Sequence, residues 1–229
     1  MGSLPDEAQM RSWLRNNSLS VTVTSILMML LVGQTLTGWQ SNNQERHQKG
    51  AAELSLAQYL GSGHFGEAVS ENWESEFLQM AAYVLLTVYL RQRGSAESKS
   101  FSGSEAVDRD PRLDGNKPGV PFPVRCGGWL LKLYEHSLSL AFAILFLLSF
   151  SWHAVSGLKL ENDELALDGL PPMSLMDFAT SSKFWFQSMQ NWQSEFLAVG
   201  AIVVLSIWLS QRGSPKSKPV SAPHDQTAE

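Results

Sequence analysis

The residue types best suited to chemistry occur twice in this chain. Asn72-Trp73-x-Ser75-Glu76 and Asn191-Trp192-x-Ser194-Glu195 carry the same side chains at the same spacing. Each sets a carboxylate beside an apolar run, where charge is costly unless it reaches water, a partner or a membrane interface. If the two acids converge, Glu76 and Glu195 could bind a cation or share a proton, because like charges in contact do not both ionise freely. The same residues also suit a structural role at the start of a helix. Asn72 and Asn191 would then cap it, the acids would sit in the favourable first turn, and Trp73 and Trp192 would be interfacial anchors. A second pair, Gln-Arg-Gly-Ser at 92–95 and 211–214, fits a helix end. Gly94 and Gly213 suit a C-cap, and Arg93 and Arg212 complement the helix dipole and an anionic inner surface. A phosphate site would need a Gly-rich loop opening a helix, which is lacking here.

Other chemistries find no constellation. Histidines 47, 64, 136, 153 and 224 are scattered, with no His or Cys pair at metal-binding spacing. His153 follows Trp152 at a membrane boundary, where a solvated imidazole is expected. Asp163, Glu164 and Asp168 lack the EF-hand pattern and its glycine, so they read as a solvated acidic loop. No Gly-x-Ser-x-Gly, His-Glu-x-x-His or P-loop occurs. The expectation is a protein that is not an enzyme and uses no metal or cofactor. A net charge of -5 argues against a nucleic-acid partner. The single cysteine, Cys126, excludes an intramolecular disulfide and reads as an unmodified thiol.

The elements that must position these residues come from four apolar blocks. Averaged over 229 residues the chain is unremarkable, with 44% hydrophobic residues and a mean hydropathy of -0.10. The apolar residues are segregated, however, into Leu19–Trp39, Phe77–Leu90 (extended upstream to Trp73), Leu138–Trp152 (extended upstream to Trp129) and Phe196–Leu209. The first has the length of a membrane span and no formal charge. Arg11 and Arg15 precede it, as they would in a signal peptide, but its recurrence in mid-chain argues for a span. Trp or Tyr lies near a boundary of every block. Lys and Arg number two before the first block, two after it, eight between the second and third, two between the third and fourth, and three thereafter. One side thus carries thirteen and the other four, and the basic side is expected to be cytoplasmic.

The second and fourth blocks align without a gap. Asn72–Lys99 matches Asn191–Lys218 at an offset of 119, with 16 of 28 positions identical. The same offset pairs Ser18-Leu19-Ser20 with Ser137-Leu138-Ser139, Gly38 with Gly157 and Phe65 with Phe184. The predicted fold is therefore an all-α membrane protein of four transmembrane helices, arranged as two parallel-oriented two-helix repeats related by an axis along the membrane normal. The divisions are a cytoplasmic N-terminus at 1–17, a first repeat at 18–93, a Ser-, Asp-, Gly- and Pro-rich linker at 94–124, a second repeat at 125–212 and a tail at 213–229. Linker and tail read as disordered. In the outside loops, Phe65, Val69 and Trp73, and likewise Trp185, Ser188, Met189 and Trp192, fall at helical spacing, which predicts interfacial helices leading into the second spans. Ala81-Ala82 and Gly200-Ala201 offer small faces for contact between the repeats.

On Ser-Leu-Ser at the first and third blocks, Asn-Trp-x-Ser-Glu-Phe-Leu at 72–78 and 191–197, and the Gln-Arg-Gly-Ser ends, the chain resembles an uncharacterised family of bacterial four-span membrane proteins. That resemblance implies the fold and a bacterial inner membrane with both termini cytoplasmic, and it implies no activity. Two functions stay open. One is a structural or interaction protein, whose partners are the bilayer, a further protein and a second copy in a homo-oligomer. The other is a small oligomeric transporter or channel using Glu76 and Glu195. Within the blocks the polar residues are Gln34, Gln79 and scattered Ser and Thr, which favours the first.

Overall fold

The computed structural model describes residues 7–101, 103 and 105–227. Residues 1–6 of the N-terminal segment, 102 and 104 of the linker and 228–229 of the tail lie outside the described residues. The described chain is all-α, with α1 (Glu7–Asn16), α2 (Ser18–Gln48), α3 (Leu56–Leu60), α4 (Gly63–Tyr89), α5 (Phe122–Cys126), α6 (Gly128–Glu135), α7 (Ser137–Leu167), α8 (Leu175–Ala179) and α9 (Ser182–Leu205). Two short 3-10 helices, Ala106–Asp108 and Pro111–Asp114, sit in the linker.

Two helices, α2 and α7, are long and apolar enough to cross a membrane. Each has 31 residues, about 46 Å at the α-helical rise. Both outrun their apolar blocks, because the polar residues after Trp39 and Trp152 continue the helix instead of breaking it. The helices α4 and α9 likewise begin well before their apolar runs. Ser62 and Ser181 start them, each hydroxyl accepting from the amide of Phe65 or Phe184 at 3.2 Å, a cap that contributes about 1 kcal/mol.

Several local features recur 119 residues apart. Asn43 clamps the backbone of Leu54 through both amide atoms, at 2.8 and 2.9 Å, and Asn162 does the same to Met173 at 2.7 and 3.1 Å. Gly38 admits the Tyr59 ring and Gly157 the Phe178 ring, where a Cβ would collide with either.

The packing between the two halves is lopsided. Antiparallel α4 and α7 form the main interface, and α4 also meets α9. The approach of α7 depends on small residues: a Cβ on Gly63 would run into the backbone of Leu160 and Ser156, and one on Gly66 would sit 2.7 Å from the Ser156 Cβ. This corrects the expectation that Ala81-Ala82 and Gly200-Ala201 make the contact. Ala81 is buried, but Gly200 faces open space.

Burial is inverted relative to a water-soluble protein. Among the described residues, six hydrophobic side chains are buried against fourteen polar or charged ones. Leu19, Met29, Leu138 and Leu148 are all more than half exposed. Such large uncovered apolar faces call for a non-aqueous cover.

The linker, read from composition as disordered, carries local order built from its charges. Lys99 pairs with Asp108 at 2.7 Å, and Asp114 accepts from Arg109 at 2.9 Å and Lys117 at 2.6 Å. The chain after α4 folds back under the helix ends. The hydroxyls of Ser95 and Ser206 meet at 2.8 Å, Tyr83 donates to Glu97 at 2.7 Å, and the Lys218 ammonium is spent on the carbonyls of Ile207, Pro223 and His224.

Candidate functional site

The helix α4 carries Glu67, Ser70, Glu71 and Glu74 at positions i, i+3, i+4 and i+7, a spacing that lines them along one face. That face meets His153, Ser156 and Gly157 on α7 and Gln187, Asn191 and Trp192 on α9, so three helices from both halves supply the cluster. At its centre Glu74 and His153 are both 0% exposed. One Glu74 carboxylate oxygen lies 3.0 Å from His153 Nδ1, and the other accepts from Trp192 Nε1 at 3.1 Å. An ionised carboxylate only accepts, so this network assigns the proton to Nδ1 and turns Nε2 outward from the pair.

The layers outward of this pair are polar as well. The hydroxyls of Ser70 and Ser156 meet at 3.2 Å. Glu67 Oε1 accepts from Gln187 Nε2 at 3.0 Å and lies against Gly157. Half-buried Glu71 stands beside Asn191. Glu74, Glu71 and Glu67 all lie within Coulombic range of His153. Aromatic rings wall the cluster: Phe184 packs on the imidazole with centroids 4.8 Å apart, and Trp73 and Trp152 meet edge to face at 6.0 Å. Further out, burial works against the charge of Lys183. Its hydrogen bond to Glu161 at 2.5 Å, with Glu164 nearby, outweighs that and holds the ammonium pKa above its ordinary value. Among the described residues, no three His, Cys, Asp or Glu side chains are placed to hold a metal ion.

The residues singled out by sequence are distributed around this cluster. Trp192 is part of it, through its hydrogen bond to Glu74, and Trp73 packs on Trp152 beside it. Glu76 is exposed, while Glu195 is half-buried and near enough to feel the charge of Glu76. Between them Gln79 donates to the Glu195 carbonyl at 3.1 Å. Asn72 and Asn191 are not caps. They stand nine residues inside helices that start at Gly63 and Ser182, and Asn72 donates to the Ala68 carbonyl at 2.7 Å. Nor are Gly94 and Gly213 C-caps, because α4 ends at Tyr89 and α9 at Leu205. Both adopt φ of +84°, in the left-handed region that favours glycine, within turns beyond the helices. Arg93 pairs with Asp225 at 3.4 Å at the surface, and Arg212 is exposed.

Sequence reasoning missed Glu67, Glu71 and Glu74, and it misread His153, which is enclosed rather than solvated. The helical spacing of the acids was a visible signal.

No curated protein and no solved structure matches the chain. A family model does match, over residues 10–229, and the chain belongs to the family described as Domain of unknown function (DUF6766).

Proposed function

We propose that the protein is a four-span integral membrane protein that acts in structure or interaction rather than conduction, with its ionisable layer at the outer end of the bundle. In this reading α2, α4, α7 and α9 span a bacterial inner membrane as two similarly oriented two-helix units. The N-terminal segment, linker and tail are then cytoplasmic, in accord with the thirteen-to-four sorting of Lys and Arg. The recurrence of local structure at an interval of 119 residues and the inverted burial support it.

The observation that separates interaction from conduction is where the ionisable groups stop. No Asp, Glu, His, Lys or Arg occurs from Phe77 to Leu90 on the second apolar run, from Leu138 to Trp152 on α7, or from Phe196 to Leu205 on α9. Each stretch covers at least about 15 Å of helix. A monomer so built holds its Glu–His cluster at one end, at the level of Trp73, Trp152 and Trp192, and its buried Glu97 and Lys218 beyond the opposite helix ends, with none of these charged types in the stretches between.

Two measurements test this. In a Cys126→Ser background, single cysteines at Ala52 and Ala106 should label from opposite sides of sealed membranes, and same-side labelling would defeat the four-span arrangement. Reconstituted vesicles should show no proton or cation flux. A flux that Glu74→Leu abolishes would replace interaction by transport.

A further inference from the structure

The cluster is short of positive charge and contains buried polar atoms without a partner. Glu67, Glu71 and Glu74 face one imidazole, and among the described residues no Lys or Arg forms an ion pair with them. Lys159 is turned to the Gly61 carbonyl and Lys183 to Glu161 and Glu164. Three buried polar atoms here lack a hydrogen-bond partner: His153 Nε2, Gln187 Oε1 and Ser188 Oγ. His153 and Ser188 are both 0% exposed, so bulk water does not supply the missing partner. The orientation of Gln187 is fixed, because its nitrogen is committed to Glu67, an acceptor. Its oxygen is therefore the atom left over. Ser188 lies one turn from Phe184, which packs on His153, and one turn from Trp192, which holds Glu74. An unsatisfied buried polar atom costs about 1–3 kcal/mol, so three in one cluster point to a missing species.

We propose that this cluster binds one small monovalent cation. Gln187 Oε1 and Ser188 Oγ are its neutral ligands, Glu67 and Glu71 supply the neutralising charge, and the free nitrogen of His153 lines the site. The arrangement does not suit a transition metal, which would require three His, Cys, Asp or Glu ligands converging on one point. The inference rests on the proposed membrane placement only for the side from which the ion enters.

The test uses the full chain in lipid nanodiscs at pH 7.5 and constant ionic strength, with choline chloride replaced stepwise by sodium, potassium or ammonium chloride. At least one of the three ions should raise Tm saturably. Ser188→Ala and Glu71→Gln should each weaken that response at least about tenfold in apparent affinity, equivalent to about 1.4 kcal/mol. Gln193→Ala, on an exposed position of α9, should keep it. Glu71 is half-exposed, so its variant stays informative should Ser188→Ala fail to fold. A Tm that is flat across all three ions would overturn the proposal, leaving an internal water or a proton as the missing partner. So would an equal response in wild type and both site variants. Neither result would bear on cysteine labelling, which tests the membrane arrangement separately.

Discussion

Glu74 on α4 and His153 on α7 form a hydrogen-bonded pair 3.0 Å apart with no exposed surface, and they belong to different halves of the chain. Removing one member leaves the other buried without its partner, which costs about 3–5 kcal/mol, whereas replacing both by apolar groups of similar volume is much less damaging. Glu74→Leu and His153→Phe should therefore each destabilise by that amount. The double variant should recover most of the loss, as read by unfolding in detergent micelles.

Trp192 holds the second oxygen of Glu74 at 3.1 Å. Hydrogen bonds to charged groups contribute about 1.5–3 kcal/mol. Trp192→Phe keeps an aromatic ring against Phe146 and Phe150 while deleting the donor and part of the ring system. It should lower stability by about 1–3 kcal/mol in the same unfolding assay, with helix content unchanged by circular dichroism.

The glycines separate into two kinds. Gly66 abuts Ser156 and Trp152, and Gly33 has open space around it. Gly66→Ala should force α4 from α7 and cost about 1–3 kcal/mol by overpacking. Gly33→Ala should be neutral or stabilise by up to about 1 kcal/mol through helix propensity. Comparing their thermal midpoints checks both.

Acid should loosen the linker before the bundle. The hydrogen bond from Lys99 holds the Asp108 carboxyl below its ordinary pKa of 3.8, outweighing the opposing effect of burial. A depressed carboxyl stabilises the folded form above that ordinary value, and the contribution is lost as pH falls through the lower folded value. Proteolysis by pepsin between pH 5 and 2.5 should therefore cut first around 99–108. Lys99→Ala should be cut there already at pH 5.

The elements were more legible than the site. Apolar blocks and the 119-residue offset placed α2, α4, α7 and α9, but hydropathy did not show that α7 runs on to Leu167 or that α4 starts at Gly63. Those polar extensions hold the cluster. Comparison of the two halves drew attention to Asn72, Trp73 and Glu76 because their counterparts are identical. The buried groups sit where the halves differ: Glu74 corresponds to Gln193, His153 to Gln34 and Ser156 to Thr37. Residue type also misled. A histidine next to a tryptophan reads as interfacial, and only the arrival of Glu74 and Phe184 from two other helices encloses it.

That difference between halves has a consequence for assembly. Two copies of the first half, set against each other as α4 is set against α7, would oppose Glu74 to Gln34; two copies of the second would oppose Gln193 to His153. Neither self-pairing contains both an acid and an imidazole, so the pair exists only when the two unlike halves meet. At this point each half is the complement of the other. A gene split within the linker should yield two fragments that are viable together and orphaned apart.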